Sequence, residues 1–165
     1  TGAKTALQRS GERLRPLVDG VWGQPVRDEP RRYLAGIVSG LDIRYDLGEG
    51  HALLGRRMPD LDLETTDGPV RMFTLLHDAR PVLLNLGEPG GVDAGPWADR
   101  VQLVDAEYAG AWELPVLGAV TAPTAVLVRP DGYVAWVGEG AEAGLTVALA
   151  TWFGAPVDAS APQRE

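Results

Sequence analysis

The chain has 165 residues, 45% of them hydrophobic and 23% charged, which predicts a soluble globular domain with one sizeable core. Its net charge of −8 argues against a nucleic-acid partner, because phosphate backbones demand clustered lysine and arginine. The absence of cysteine excludes disulfides, thiol redox chemistry and thiolate metal sites together.

Residues 1–41 read as helical. Leu7, Leu14, Leu17, Val18 and Val21 recur at helical spacing, and GQP at 23–25 stops that run. Asp28 is an N-cap candidate with Pro30 in the first turn, and Tyr33, Leu34, Ile37, Val38 and Leu41 form the next apolar stripe. From Leu61 the pattern turns to β. LDLET predicts a strand, Asp67-Gly68-Pro69 a turn, MFTLLH a short helical piece and PVLLNL a buried strand. PVLLNL runs into the glycine-rich loop GEPGGVDAGPW. RVQLVDAEY alternates as a strand does, and TAVLVRPDGYVAWVGEG reads as a hairpin turning at Pro130-Asp131-Gly132. AEAGLTVALATWFG is a closing helix with Gly154 as its stop. Strands and helices in this order suit a mixed sheet covered by helices.

No stretch approaches the roughly 18 uninterrupted apolar residues of a membrane helix. The opening TGAKTALQRSGERL has no apolar run after its basic residues, so no signal peptide is expected and the cytoplasm is the default compartment. Lys4 is the sole lysine, and with abundant Ala, Gly, Pro and Val this suits a GC-rich genome such as an actinomycete's. A start on Thr1 rather than methionine is what an excised or processed chain gives.

GRRMPDLDLETTDGPVRMFTLLHDARPVLLNLG resembles the opening of peroxiredoxin-like and thioredoxin-like domains: Gly-x-x-x-Pro, strand, Asp-Gly turn, short helix, apolar strand. TAPTAVLVRPDGYVAW is similar to their second half, where an apolar-Pro-Thr tripeptide precedes an antiparallel hairpin. That resemblance implies a cis bond at Pro123, facing a degenerate active loop that holds Glu88, Pro89 and Asp93 where a thiol would stand. A closer resemblance is to the C-terminal domain of FAD-dependent aromatic polyketide hydroxylases, within the phenol hydroxylase and p-hydroxybenzoate hydroxylase-like flavin monooxygenases. RYLAGIVSGLDIRYDL, HALLGRRMPDLDL, ARPVLLNLG, WADRVQLVD and APTAVLVRPDGYVAWVG occur in that family's order, across roughly residues 30–153.

The expected fold is therefore α/β, a thioredoxin-like mixed sheet flanked by helices and preceded by a helical segment. The expected division is 1–45 as the end of an FAD domain, 46–60 as a linker, 61–154 as a cysteine-free thioredoxin-like domain and 155–165 as a flexible tail. The resemblance implies a parent enzyme that uses NAD(P)H to reduce FAD and hydroxylates an aromatic polyketide in antibiotic biosynthesis, this domain being its non-catalytic part. Its partners would be the FAD-binding and substrate domains or a second copy, with no nucleic acid and no membrane. Val21, Trp22, Tyr33, Ile37 and Val38 are the expected interface residues. The alternatives are a free-standing cysteine-free scaffold acting in trans on a biosynthetic enzyme, and an enzyme that uses the loop near Pro123.

The residues themselves offer no catalytic, cofactor or metal site. No Gly-x-Gly-x-x-Gly follows a strand and opens a helix; GEGAEAG at 138–144 lacks the final spacing. Ser10, Ser39 and Ser160 lack a nucleophile-elbow context. His51 falls in the expected linker and His77 at the end of a helical turn, too few for a metal site. Asp60 with Asp62 and Glu139 with Glu142 read as solvated carboxylates. Trp22, Trp97, Trp112, Trp136 and Trp152 read as core or interface anchors, two or more of them partly exposed.

Overall fold

The computed structural model describes residues 43–114, 118–140 and 143–157. The expectations for Val21, Trp22, Tyr33, Ile37 and Val38, and for most of the tail, lie outside those residues. A six-stranded mixed sheet forms the body, with strand order β2-β1-β4-β3-β7-β8. Its strands are β1 (Asp62–Thr65), β2 (Gly68–Arg71), β3 (Val82–Asn85), β4 (Gln102–Glu107), β7 (Ala125–Val128) and β8 (Val134–Gly138). A small separate hairpin joins β5 (Glu113–Leu114) to β6 (Gly118–Ala119). The sheet is thioredoxin-like, as the sequence predicts.

Each local prediction from Leu61 onward has its counterpart. Asp67 and Gly68 turn β1 into β2, with Gly68 at φ +113° and Thr65 Oγ1 donating to Gly68 O at 2.8 Å. MFTLLH forms a single 3-10 turn, Met72–Leu76, and His77 closes it with its backbone N–H on Thr74 O. Gly132 takes φ +83° where β7 turns into β8, the left-handed conformation that glycine adopts without penalty. The closing helix α1 spans Leu145–Phe153 and stops at Gly154, φ +84°.

The central strands β3 and β7 are buried along their whole length, which explains their unbroken apolar runs. One face of the sheet carries Val82, Leu84, Val126, Val128 and Val134, packed with Leu63, Met72 and Trp112. The other carries Leu83, Leu127 and Trp136, covered by Trp97, Leu145 and Leu149. Each of those leucines contributes about 1.5–3 kcal/mol by leaving water. Among the described residues α1 is the one α-helix, so the helical flank is thinner than expected. The parallel β3–β4 pair usually needs a helical crossover; here residues 86–101 make it with one 3-10 turn, Gly95–Trp97.

The stretch 46–60, expected as a linker, also reaches the interior. Leu53 and Met58 are buried in the first core, and Gly55, Arg56 and Met58 exchange backbone hydrogen bonds with Gly132 and Val134. Trp97, Trp112 and Trp136 are buried, while Trp152 is half-buried. Partial exposure among the described tryptophans is therefore confined to Trp152.

Two charge arrangements mark the β2–β1–β4 side of the sheet. Asp60 accepts two hydrogen bonds from the Arg71 guanidinium and one from Phe73 N–H. Partial burial works to raise its pKa, but these bonds and the Arg71 charge outweigh it and hold the carboxyl below the usual range. Its contribution to stability is present at neutral pH and fades as pH falls through that depressed value. By contrast, Glu64 and Glu107 face each other directly across β1 and β4. Like charges in that position repel, so Glu107→Lys is expected to stabilise the fold by about 0.2–1 kcal/mol. A rise in the urea midpoint at unchanged slope would register it.

Candidate functional site

The glycine-rich loop after β3 is where a reactive residue would stand, and its geometry is set by one buried amide. Asn85 is 2% exposed at the end of β3. Its Nδ2 donates to Glu88 O at 2.8 Å and to Asp105 Oδ1 at 2.5 Å. Its Oδ1 accepts from Gly87 N–H at 3.2 Å. Asp105 is the register partner of Asn85 on β4, so the sheet itself presents the carboxylate. Gly91 N–H closes the turn on Glu88 O at 2.9 Å, with Gly90 at φ +76°.

Asp93 spends its carboxylate locally: Oδ1 accepts Gly95 N–H at 2.6 Å and starts the 3-10 turn. That turn delivers Trp97 into the second core, where its indole N–H donates to Gly154 O at 2.8 Å. Arg100 then donates to Phe153 O and Ala155 O, capping the carbonyl end of α1. Loop and helix end are thus locked together.

Loop, strand ends and Trp136 enclose a pocket of about 290 Å³, whose walls include Asn85, Glu88, Val92 and Thr124. Thr124 is occupied too, its Oγ1 donating to Gly138 O and accepting from Gly140 N–H. The Glu88 side chain is exposed on the rim. Pro89 lies on the other side of the loop, against a cleft shared with Glu64, Asp105 and Glu107. The structure therefore brings Glu88 to the pocket, turns Asp93 into a backbone clasp and gives Pro89 to a different surface.

Pro123 requires a correction. Leu86 N–H donates to Thr124 O, so the tripeptide does lie beside the loop, but the Ala122–Pro123 bond is trans. Trans is the X-Pro default by about 0.5–1 kcal/mol. Here Thr124 fixes the strand start through Gly138 and Gly140, and no thiol faces the proline. This half keeps the sheet order of the fold and loses the cis bond that the redox resemblance carried.

The two histidines do not approach a site. His51 is buried, its Nδ1 accepting Leu53 N–H at 3.1 Å and its Nε2 lying 2.9 Å from Thr121 O. Those partners fit an Nε2–H tautomer that ties the 51–58 stretch to the β6–β7 connection. No group of three His, Cys, Asp or Glu side chains among the described residues could hold a metal ion. No helix among them is long and apolar enough to cross a membrane.

Sequence reasoning missed Asn85, Asp105 and Arg100. The one available signal was Asn85 itself, a lone polar residue inside PVLLNL.

Residues 51–156 match the family model described as aromatic-ring hydroxylase, C-terminal. The chain belongs to this family. The curated 12-dehydrotetracycline 5-monooxygenase/anhydrotetracycline 6-monooxygenase of Streptomyces rimosus is 50% identical over 132 residues, 78% of this chain and 25% of the relative. The solved structure of OxyS anhydrotetracycline hydroxylase from Streptomyces rimosus superposes with a TM-score of 0.71 at 45% identity, covering 88% of this chain and 29% of that one. Dialkyldecalin synthase of Streptomyces rugosporus is 36% identical over 157 residues, 93% of this chain and 28% of the relative. This aromatic-ring hydroxylase C-terminal chain thus spans about a quarter of the length of the curated relatives it matches.

Proposed function

We infer that the chain is the non-catalytic C-terminal domain of an FAD- and NAD(P)H-dependent monooxygenase that hydroxylates an aromatic polyketide in antibiotic biosynthesis. The observation that carries this reading is the state of the loop. Asn85 and Thr124 spend their polar atoms on backbone groups and on Asp105, and Asp93 and Asp105 each commit Oδ1 to the loop, so these groups hold its shape. The relatives support the same role. Related C-terminal segments occur in proteins named as a tetracycline-pathway monooxygenase and as a dialkyldecalin synthase, so the domain accompanies more than one reaction. An architectural part can serve parent enzymes that run different reactions.

The pocket beside the loop does not fit FAD. The pocket beside the loop is at the lower limit of small-ligand cavities, roughly 300 Å³, and its rim charge is the Glu88 carboxylate rather than a pyrophosphate-binding cation. In this reading FAD binds elsewhere in the parent enzyme, and this chain braces the domain that holds it.

The test uses the longer enzyme and the chain together. Titrating FAD against the chain should leave flavin fluorescence unquenched. In the parent enzyme, Glu88→Ala should leave kcat within about twofold, since losing a general acid or base costs about 10²–10⁴-fold. Micromolar FAD binding by the chain alone, or a hundredfold loss of kcat in Glu88→Ala, would overturn the reading.

A further inference from the structure

We propose that the open edge of β4 beside the β1–β2 turn is a docking site for an extended, basic segment of a partner protein, taken up as an added strand. β4 runs from Gln102 to Glu107, yet β1 pairs only with its last two residues, Ala106 and Glu107. The chain then turns away through Asp67 and Gly68 into β2. On its other side β4 pairs with β3 from Gln102 to Asp105, and Gln102 N–H donates to Pro81 O at 2.9 Å. Backbone groups alternate in direction along a strand, so Leu103 turns its N–H and C=O away from β3. Among the described residues no strand pairs with them on that side. An inner strand of the sheet thus keeps a stretch of edge open.

The space beside that edge is a cleft of about 550 Å³, lined by the β1–β2 turn, Leu75, Pro89 and Gln102–Asp105. Its two faces differ. Val104 packs against the first core with Val70 and Leu75, so one face is apolar. By alternation Leu103, Asp105 and Glu107 share the opposite face, and register places Glu64 beside Glu107 there. Leu103 is 39% exposed on it. Asp67 lines the same cleft, and no lysine or arginine lines it or the adjoining one at Glu64 and Glu107. These features select the occupant. An added strand alternates too, so it can set apolar side chains over Val104 and Leu75 and basic ones toward the carboxylates. Arginine or lysine stems would cover Leu103 while their charges reach past it. A second copy would bring the same carboxylates to the edge, where like charges repel. This assignment does not depend on the proposed hydroxylase role.

Peptide anisotropy and hydrogen exchange on the full 165-residue chain test it, with a short acetylated peptide of alternating valine and arginine as the probe. Saturating peptide should slow exchange of the Leu103 amide by about tenfold or more, as a new ladder bond does. The same peptide N-methylated at every amide, or carrying glutamate in place of arginine, should not. Leu103→Pro should abolish binding, because proline lacks the outward donor, and β3 does not use that donor. Should this variant fail to fold, Glu64→Gln combined with Asp67→Asn decides the case. It keeps the shape of the edge and should weaken binding by about threefold or more at low salt. Failure of the arginine peptide to bind, or equal binding by the N-methylated or glutamate peptide, would overturn the proposal. Binding that leaves Leu103 exchange unchanged would do the same. Protection of Leu103 that rises with chain concentration, without peptide, would put a second copy on the edge and overturn it equally.

Discussion

Replacing Asn85 by aspartate is expected to destabilise the domain by about 1–3 kcal/mol at neutral pH and to loosen residues 87–91 first. The substitution removes the Nδ2 donor and sets a second carboxylate against Asp105 Oδ1, which Asn85 now meets at 2.5 Å. Two carboxylates in that position cannot both ionise cheaply, so at least one is held above its unfolded pKa. The folded state then binds more protons than the unfolded state, and the variant should regain stability as pH falls through that raised value. The wild-type domain has no such pair at this position. Urea melts of both proteins at pH 7 and near pH 4.5 measure the effect. A deficit that is equal at both pH values would show that the Asn85–Asp105 contact does not organise the loop.

Trp97→Ala should cost more, about 3–5 kcal/mol, the usual range for emptying a large buried aromatic site. Trp97 is 3% exposed, and it fills the space between the loop, Leu83 and the helix end. Trp97→Phe separates packing from hydrogen bonding. It keeps most of the buried area and loses only the indole N–H donated to Gly154 O, so a deficit of about 0.5–1.5 kcal/mol is expected. If alanine and phenylalanine gave the same denaturant midpoint, packing would not be the reason for the tryptophan.

Both effects show why this loop keeps its shape without a thiol. Asn85 and Trp97 bracket it, one tied to β4 and the other to the end of α1. Gly90, at φ +76°, lets the backbone fold back on the Asn85 side chain, and Gly91 has no room for a Cβ beside Glu88 O. A buried polar group of this kind is stabilising only when every partner is present. The retention of the loop therefore needs no catalytic explanation.

Pattern alone determined the elements whose signal is local. Glycines at 68, 132 and 154 marked two turns and a helix stop, because each needs a positive φ that other residues resist. The apolar runs of β3 and β7 marked central strands, because burial on both faces leaves no polar alternation. The ordered blocks pointed to the family to which the chain belongs. Tertiary structure alone decided the rest. Asn85 and Asp105 are 20 residues apart and become partners only when β3 and β4 pair in register. Leu53 and Met58 looked like part of a connector because too few apolar residues surround them to show a period, yet the β8 edge draws them inside. Arg129 reads as a turn-flanking charge until Tyr45 and Trp152, from opposite ends of the described chain, close over it. The bond before Pro123 was settled the same way: hydrogen bonds from Thr124 to the end of β8 fix that corner, and trans geometry satisfies them. Local sequence carries the conformational preference of each residue, whereas register and burial depend on partners the chain supplies only once it has folded.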